Sequence, residues 1–213
     1  MGFVERVKIL REKYHYSWIL LREMVKTDFK LRYQGSFLGV LWSVLKPLML
    51  FLIMYVVFVK FLKMTDGTPT YPIVLLLGIA VWQFFTEATG IGLQSIVARG
   101  DLLRKLNFPK YIIVLSAICS ALISLVINIT IVIVALLIYV LLGQEKLSFN
   151  LLWLPLNFAE LIVIAVGIAL FLSALYVRFR DITHIWDVAL QILFYAIPTI
   201  YPLTMELFAV SYL

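Results

Sequence analysis

Five long apolar runs, at about 36–62, 72–96, 111–142, 151–176 and 183–201, constrain this chain more than any other feature, and each is bounded by charge or by Gly and Pro. Crossing a hydrocarbon core of roughly 30 Å as a helix takes about 20 mostly apolar residues. The runs therefore predict an all-α, polytopic membrane protein with five transmembrane helices. The third run is longer than one crossing needs, which predicts tilt or an extension beyond the bilayer. Composition points the same way: 63% of the residues are hydrophobic and 14% charged, where soluble domains average roughly 25% charged. The connections at 63–71, 97–110, 143–150 and 177–182 are too short for a soluble domain, so residues 1–213 read as a single transmembrane domain.

Positive residues are retained on the cytoplasmic side of a membrane, so their distribution predicts orientation. Eight Lys and Arg precede the first run, four lie in the 97–110 loop (Arg99, Arg104, Lys105, Lys110) and two in the 177–182 turn (Arg178, Arg180). The opposite side holds Lys60, Lys63 and Lys146. The N-terminus is thus expected inside, and the net charge of +6 is a topology signal with no bearing on nucleic acid. Arg6, Lys8, Arg11, Glu12 and Lys13 break up the start before a signal-length apolar stretch develops, so the first span itself is expected to direct insertion. Cys119 is the single cysteine, which excludes an intrachain disulfide or a cysteine metal site.

Residues 4–30 are too charged to cross but two-faced. Val4, Val7, Leu10, Tyr14, Trp18, Leu21, Val25 and Phe29 recur at three- and four-residue spacing, with Glu5, Lys8, Glu12, Lys13, Glu23, Lys26 and Lys30 opposite. Such a helix lies in the interface with Tyr14 and Trp18 at headgroup depth. It is either a plain anchor or a collar that also touches a cytoplasmic partner. In the 97–110 loop, Asp101 is a candidate N-cap, Leu102, Leu103 and Leu106 form an apolar ridge, and Pro109 stops the helix. Such a ridge dips into the interface or fits a groove in a motor protein.

The stretch LREMVKTDFKLRYQGSFLGVLWSVLKPL at 21–48, the Asn107-Phe108-Pro109 end of the loop, YVRFRDI at 176–182 and PTIYP at 198–202 together resemble, in order, the permeases of type-2 ABC exporters for O-antigen and teichoic acid. The resemblance implies a six-span permease that dimerises around a channel for a lipid-linked polysaccharide in the bacterial cytoplasmic membrane, each copy carried by a separate ABC ATPase subunit. It makes 1–33 the interface helix, 97–110 the coupling-helix loop and 198–213 an outer gate region. Arg99, Asp101, Leu102, Leu103, Arg104, Lys105, Leu106, Asn107 and Phe108 would meet the ATPase. Five spans from an inside start leave Leu213 outside, so the family's sixth span is expected to be missing from this chain. Independently of the resemblance, no Gly-x-x-x-x-Gly-Lys-Ser/Thr phosphate loop occurs, so ATP and Mg are expected in the partner chain and no cofactor in this one.

Charge inside a bilayer is costly and faces protein or water. Glu87 and Glu160 are the clearest cases. Glu87 either lines the path, pairs across a dimer or hydrogen-bonds a Ser, Thr or Asn of a neighbouring helix. Lys46 beside Pro47 snorkels to headgroups or meets a lipid phosphate. Arg32, Arg178 and Arg180 are further candidate contacts for lipid phosphate or channel. Aromatics cluster near span ends as interface belts; Trp42, Phe84, Phe85, Tyr195 and Tyr201 are candidate channel aromatics on the resemblance. His15 and His184 have no partner at metal-ligand spacing, and no catalytic set is suggested. The rival readings are a small-molecule or drug exporter, a polytopic enzyme acting on lipid-linked sugars, and a noncatalytic scaffold. The enzyme needs acids or histidines gathered at one face, where the outer loops before residue 200 offer Asp66 and Glu145 alone.

Overall fold

A computed structural model describes residues 3–33, 36–61, 63, 71–105, 108–143 and 153–196, and all regular structure among them is helical. In lipid only helices and closed barrels satisfy every backbone polar group, and helices need no partner strand to do so. Helix α1 runs Phe3–Tyr33. A short 3₁₀ turn, Gly39–Leu41, then leads into α2, Trp42–Met54, which widens into a π-helical stretch at Tyr55–Phe61. Gly39 has φ of +50°, a left-handed turn position that glycine adopts without a Cβ penalty. Pro47 sits inside α2, where it has no N–H to give the ladder, and it is buried with Ser43.

Helix α3, Tyr71–Ala98, is followed at once by the six-residue α4, Gly100–Lys105. Helix α5, Tyr111–Leu141, ends at Gly143 (φ +71°), whose N–H and that of Leu142 close on Val140 O and Ile138 O at 3.0 Å each. Helix α6 is Leu154–Arg178, with Pro155 in its first turn, where a missing N–H costs nothing. It stops where Phe179 turns extended, and α7, Ile182–Ala196, follows.

Four of these are long and apolar enough to span: Trp42–Phe61, α3, α5 and α6. At 1.5 Å per residue α5 is ~46 Å long, well beyond one hydrocarbon core, which supports the tilt or overhang expected of it. The fifth expected span, 183–201, is described only in part. Its described part, α7, has 15 residues and is ~22 Å long, short of a crossing; residues 197–201, the gate region 198–213 and Tyr201 lie outside the described residues.

The centre of the bundle is α3, packed against both α5 and α6. Its core is Phe84 and Ala88 of α3, Val114, Ile118, Ala121 and Leu125 of α5, and Ala165 and Ala169 of α6. Small residues let the backbones approach, the usual device of helix pairing in lipid. A Cβ on Gly92 would lie 2.7 Å from Ala169 Cβ. Outward faces carry bare apolar side chains, with Leu141 86% and Val163 71% exposed. In water that surface would aggregate; in acyl chains it is the matching solvent.

Candidate functional site: a polar seam between the first helix and the bundle

Helix α1 lies against the start of α5. Met24 packs with Phe108, Ile112 and Ile113, and Leu20, Leu21, Leu102 and Leu103 close around them. The packed stripe of α1 is therefore 20, 21 and 24, rotated from the expected 14, 18, 21, 25, 29. Trp18 stays 65% exposed beside it, on a side left open to the interface. The side chains of residues 1–15 lie outside the described residues, which leaves His15 and Tyr14 unplaced. Two leucines of the loop's ridge, Leu102 and Leu103, are half-buried against Met24 and Phe108, and what α4 presents outward is Asp101, Arg104 and Lys105. Leu106 and Asn107 lie outside the described residues, and Phe108 is buried in the α1–α5 contact.

Farther along α1 the contact turns polar. Asp28 accepts from Arg99, in an ion pair, and Arg99 Nη1 also donates to Ser116 Oγ at 2.9 Å. One turn on, Arg32 pairs with Glu87 and donates to Ser124 Oγ at 2.9 Å and Ser120 Oγ at 3.2 Å. The Ser124 hydroxyl in turn donates to Glu87 at 3.2 Å. Two acid–arginine pairs thus tie α1 to α3 and to the turn before α4, and a ladder of buried serines on α5 accepts what the guanidiniums have left to donate. Glu87 takes the helix-to-helix hydrogen bond, with Arg32 added as its counter-charge. Arg32 is engaged inside the chain rather than free for a lipid phosphate.

Sequence reading missed the ladder. Ser116, Ser120, Ser124 and Asn128 recur every four residues within the most apolar run, and all are buried. Four-residue spacing puts them on one face, and that stripe was the available signal. Asp28 also went unnoticed, being one more charge on a charged helix.

Two adjoining cavities flank the seam, sharing Arg32, Gly90 and Ile91. One, of about 360 Å³, opens beside Asp28, Gln94 and Arg99. The other, of about 560 Å³, lies between α2, α3, α5 and α7 and takes in Trp42, Lys46, Glu87 and Asp187. Lys46 and Trp42 are exposed at its wall.

The remaining expected site residues scatter. Phe84 is a core residue, 1% exposed, which corrects its reading as a channel aromatic. Phe85 stacks near Trp82 and Trp186 and lines an apolar groove between α3, α6 and α7. Tyr195 is exposed on α7, edge-on to Phe194. Trp186 donates its Nε1–H to the buried Thr89 hydroxyl at 3.1 Å, which holds α7 to α3. Arg178 and Arg180 are exposed at the α6–α7 turn, over the rings of Phe179 and Tyr176. Glu160 is exposed near the start of α6, and His184 is exposed at the start of α7. Among the described residues no three His, Cys, Asp or Glu gather as a metal site.

Four helices are long and apolar enough to cross a membrane, and the relatives of the chain are named as export permeases. An O-antigen export system permease protein RfbA of Myxococcus xanthus is 30% identical over 198 residues, which is 93% of this chain and 74% of that one. Two O-antigen export system permease proteins RfbA of Klebsiella pneumoniae are each 29% identical over 195 residues, 90% of this chain and 73% of theirs. Residues 19–210 match the family described as ABC-2 type transporter. The chain belongs to the ABC-2 type transporter family, and its role is membrane transport.

Proposed function

We propose that this chain is the channel-forming subunit of an ABC exporter that moves a lipid-linked polysaccharide out across the bacterial cytoplasmic membrane, driven by a separate ATPase chain that binds ATP and Mg. The observation that carries the reading is the O-antigen export of the named relatives, which align along nearly the whole sequence. The geometry supports the motor half of it. Helix α4 projects Asp101, Arg104 and Lys105 from the same end as the start of α5, and its leucines grip Met24 and Phe108. A push on α4 is therefore passed into α1, and the Arg99–Asp28 and Arg32–Glu87 pairs carry it on to α3.

Two copies form the channel. Within one copy α2 buries Ser43 and Pro47 alone among its described residues and α7 buries none, so their faces are left for a partner. The N-terminus is cytoplasmic, on the side of the Lys- and Arg-rich segments. Arg178 and Arg180, exposed at the same side, meet lipid phosphate or the ATPase.

The test is reconstitution of the chain with its cognate ATPase in vesicles, together with depletion in cells. Depletion is expected to remove surface glycan and leave drug sensitivity unchanged, and lipid-linked glycan is expected to stimulate ATP turnover. Unchanged surface glycan with altered drug sensitivity would instead identify a small-molecule exporter.

A further inference from the structure

One turn farther from α4 than the Arg32–Glu87–Ser124 cluster, α3 carries Gln83 and α5 carries Asn128, near the middle of each helix. Both line the cavity of about 560 Å³. Gln83 Nε2 and Asn128 Oδ1 are buried there without a hydrogen-bond partner, and Asn128 is only 6% exposed. Orphaned polar atoms are rare in folded proteins because they forgo their bonds to water and gain none in return. Inside a bilayer the penalty is greater still. A donor and an acceptor lining one space therefore imply an occupant that bonds both.

Charge and shape narrow the occupant. Arg32 is already paired with Glu87, and Lys46 and Asp187 add one charge of each sign, so the lining is formally neutral. A phosphate or pyrophosphate offers acceptors and negative charge, which leaves the Asn128 oxygen unmet and sets the anion against Asp187. A hydroxyl both donates and accepts, and answers Gln83 and Asn128 alike. The ring of Trp42 forms part of the wall, a flat amphipathic surface for the carbon face of a cyclic polyol. The volume falls within the roughly 300–1,000 Å³ of small-ligand sites.

We propose that this cavity is an intramembrane subsite for one neutral, hydroxyl-rich sugar unit, held by a hydrogen bond from Gln83 and one to Asn128. The inference rests on the export reading and deepens it, because it assigns the cavity to the sugar portion of the substrate and excludes the phosphate.

Saturation-transfer NMR on the full chain in lipid nanodiscs tests it directly, with a neutral mannose trisaccharide as probe and sodium pyrophosphate as competitor. Transfer to the trisaccharide is expected in the parent, reduced at least fivefold in Asn128→Leu and in Gln83→Met, and unaffected by pyrophosphate. Gln83→Met keeps the side-chain length and removes the amide that carries the donor, so the result remains readable where Asn128→Leu fails to assemble. The Tm of ligand-free variants is expected to equal or exceed that of the parent, since each loses an orphaned atom; a large fall in both would mark the pair as structural and overturn the subsite. Displacement by pyrophosphate, undiminished transfer in both variants, or no transfer in the parent, which would leave water as the occupant, each overturns it as well. Cells separate this failure from that of the export reading. Glycan lost on depletion but exported at the parental rate by both variants leaves export standing and removes the subsite, whereas glycan unaffected by depletion removes the export reading itself.

Discussion

Arg32 and Glu87 are 55 positions apart in sequence and meet because α1 folds back against α3 and α5. Removing one member of a buried pair strands the other charge, which costs about 3–5 kcal/mol, while replacing both with apolar residues of similar size is often neutral. Here the side chains keep 21% and 26% exposure, so the lower end applies. Arg32→Met is expected to destabilise by about 3 kcal/mol and the Arg32→Met, Glu87→Met double variant by clearly less, as read from a double-mutant cycle of thermal unfolding in detergent. Equal losses in both would show that the pair holds nothing together. Gly92 makes a steric prediction. Its added Cβ would sit 2.7 Å from Ala169 Cβ, whereas one on Gly167 of α6 meets nothing within 4 Å. Gly92→Ala should cost about 1–3 kcal/mol through overpacking, and Gly167→Ala should be neutral or slightly stabilising because alanine is the better helix former. The same melts decide between them.

Helix α4 shows how an element legible in sequence acquires its meaning from its neighbours. The periodicity of Leu102 and Leu103 announces an apolar ridge, and nothing local says whether the ridge is covered by a partner or by the chain. Met24 and Phe108 pack against its two described leucines and leave them half-buried. The two faces of α4 therefore separate two effects. Leu102→Ala and Leu103→Ala are each expected to lower stability by about 1–2 kcal/mol, less than full-core truncations because the sites are half-buried. Charge reversal at Arg104 and Lys105 is expected to leave the melting temperature unchanged and to weaken co-purification of the ATPase severalfold. If reversal leaves co-purification intact, the exposed face of α4 is not the handle. The first helix follows the same logic. Its length and charge were readable, but the stripe that packs lies to one side of the most apolar one, because Asp28 and Arg32 find partners on α3, α5 and the turn before α4. Polar residues that look solvent-directed on a lone helix became its docking face.

At the scale of the molecule, sparse packing of α2 and α7 contrasts with the close core of α3, α5 and α6. Cysteines introduced at exposed positions of these two helices, Met49 of α2 and Ile192 of α7, are expected to cross-link between copies in native membranes, and one at the exposed Val163 of α6 is not. Cross-linking confined to α6 would overturn the proposed pairing through α2 and α7. Orientation is open to the same chemistry: a cysteine at Lys105 should react with a membrane-impermeant maleimide only after the cells are opened. Labelling from outside intact cells would reverse the topology and detach α4 from any cytosolic motor.

Membrane residence and helical architecture were set by composition and run length alone, since a 20-residue apolar stretch has no other stable solvent, and the ordered motifs at 21–48 and 176–182 pointed to the family. Which polar residues meet is a different kind of question. Asp28 with Arg99, Arg32 with Glu87, and the serine ladder on α5 are joined across loops whose geometry no local periodicity encodes. Transfer cost says only that each buried charge must find a partner; packing of α1 against α5 and α3 decides which one. The same packing turned the leucines of α4 inward, put Phe84 in the core, and brought Gln83 and Asn128 to one cavity.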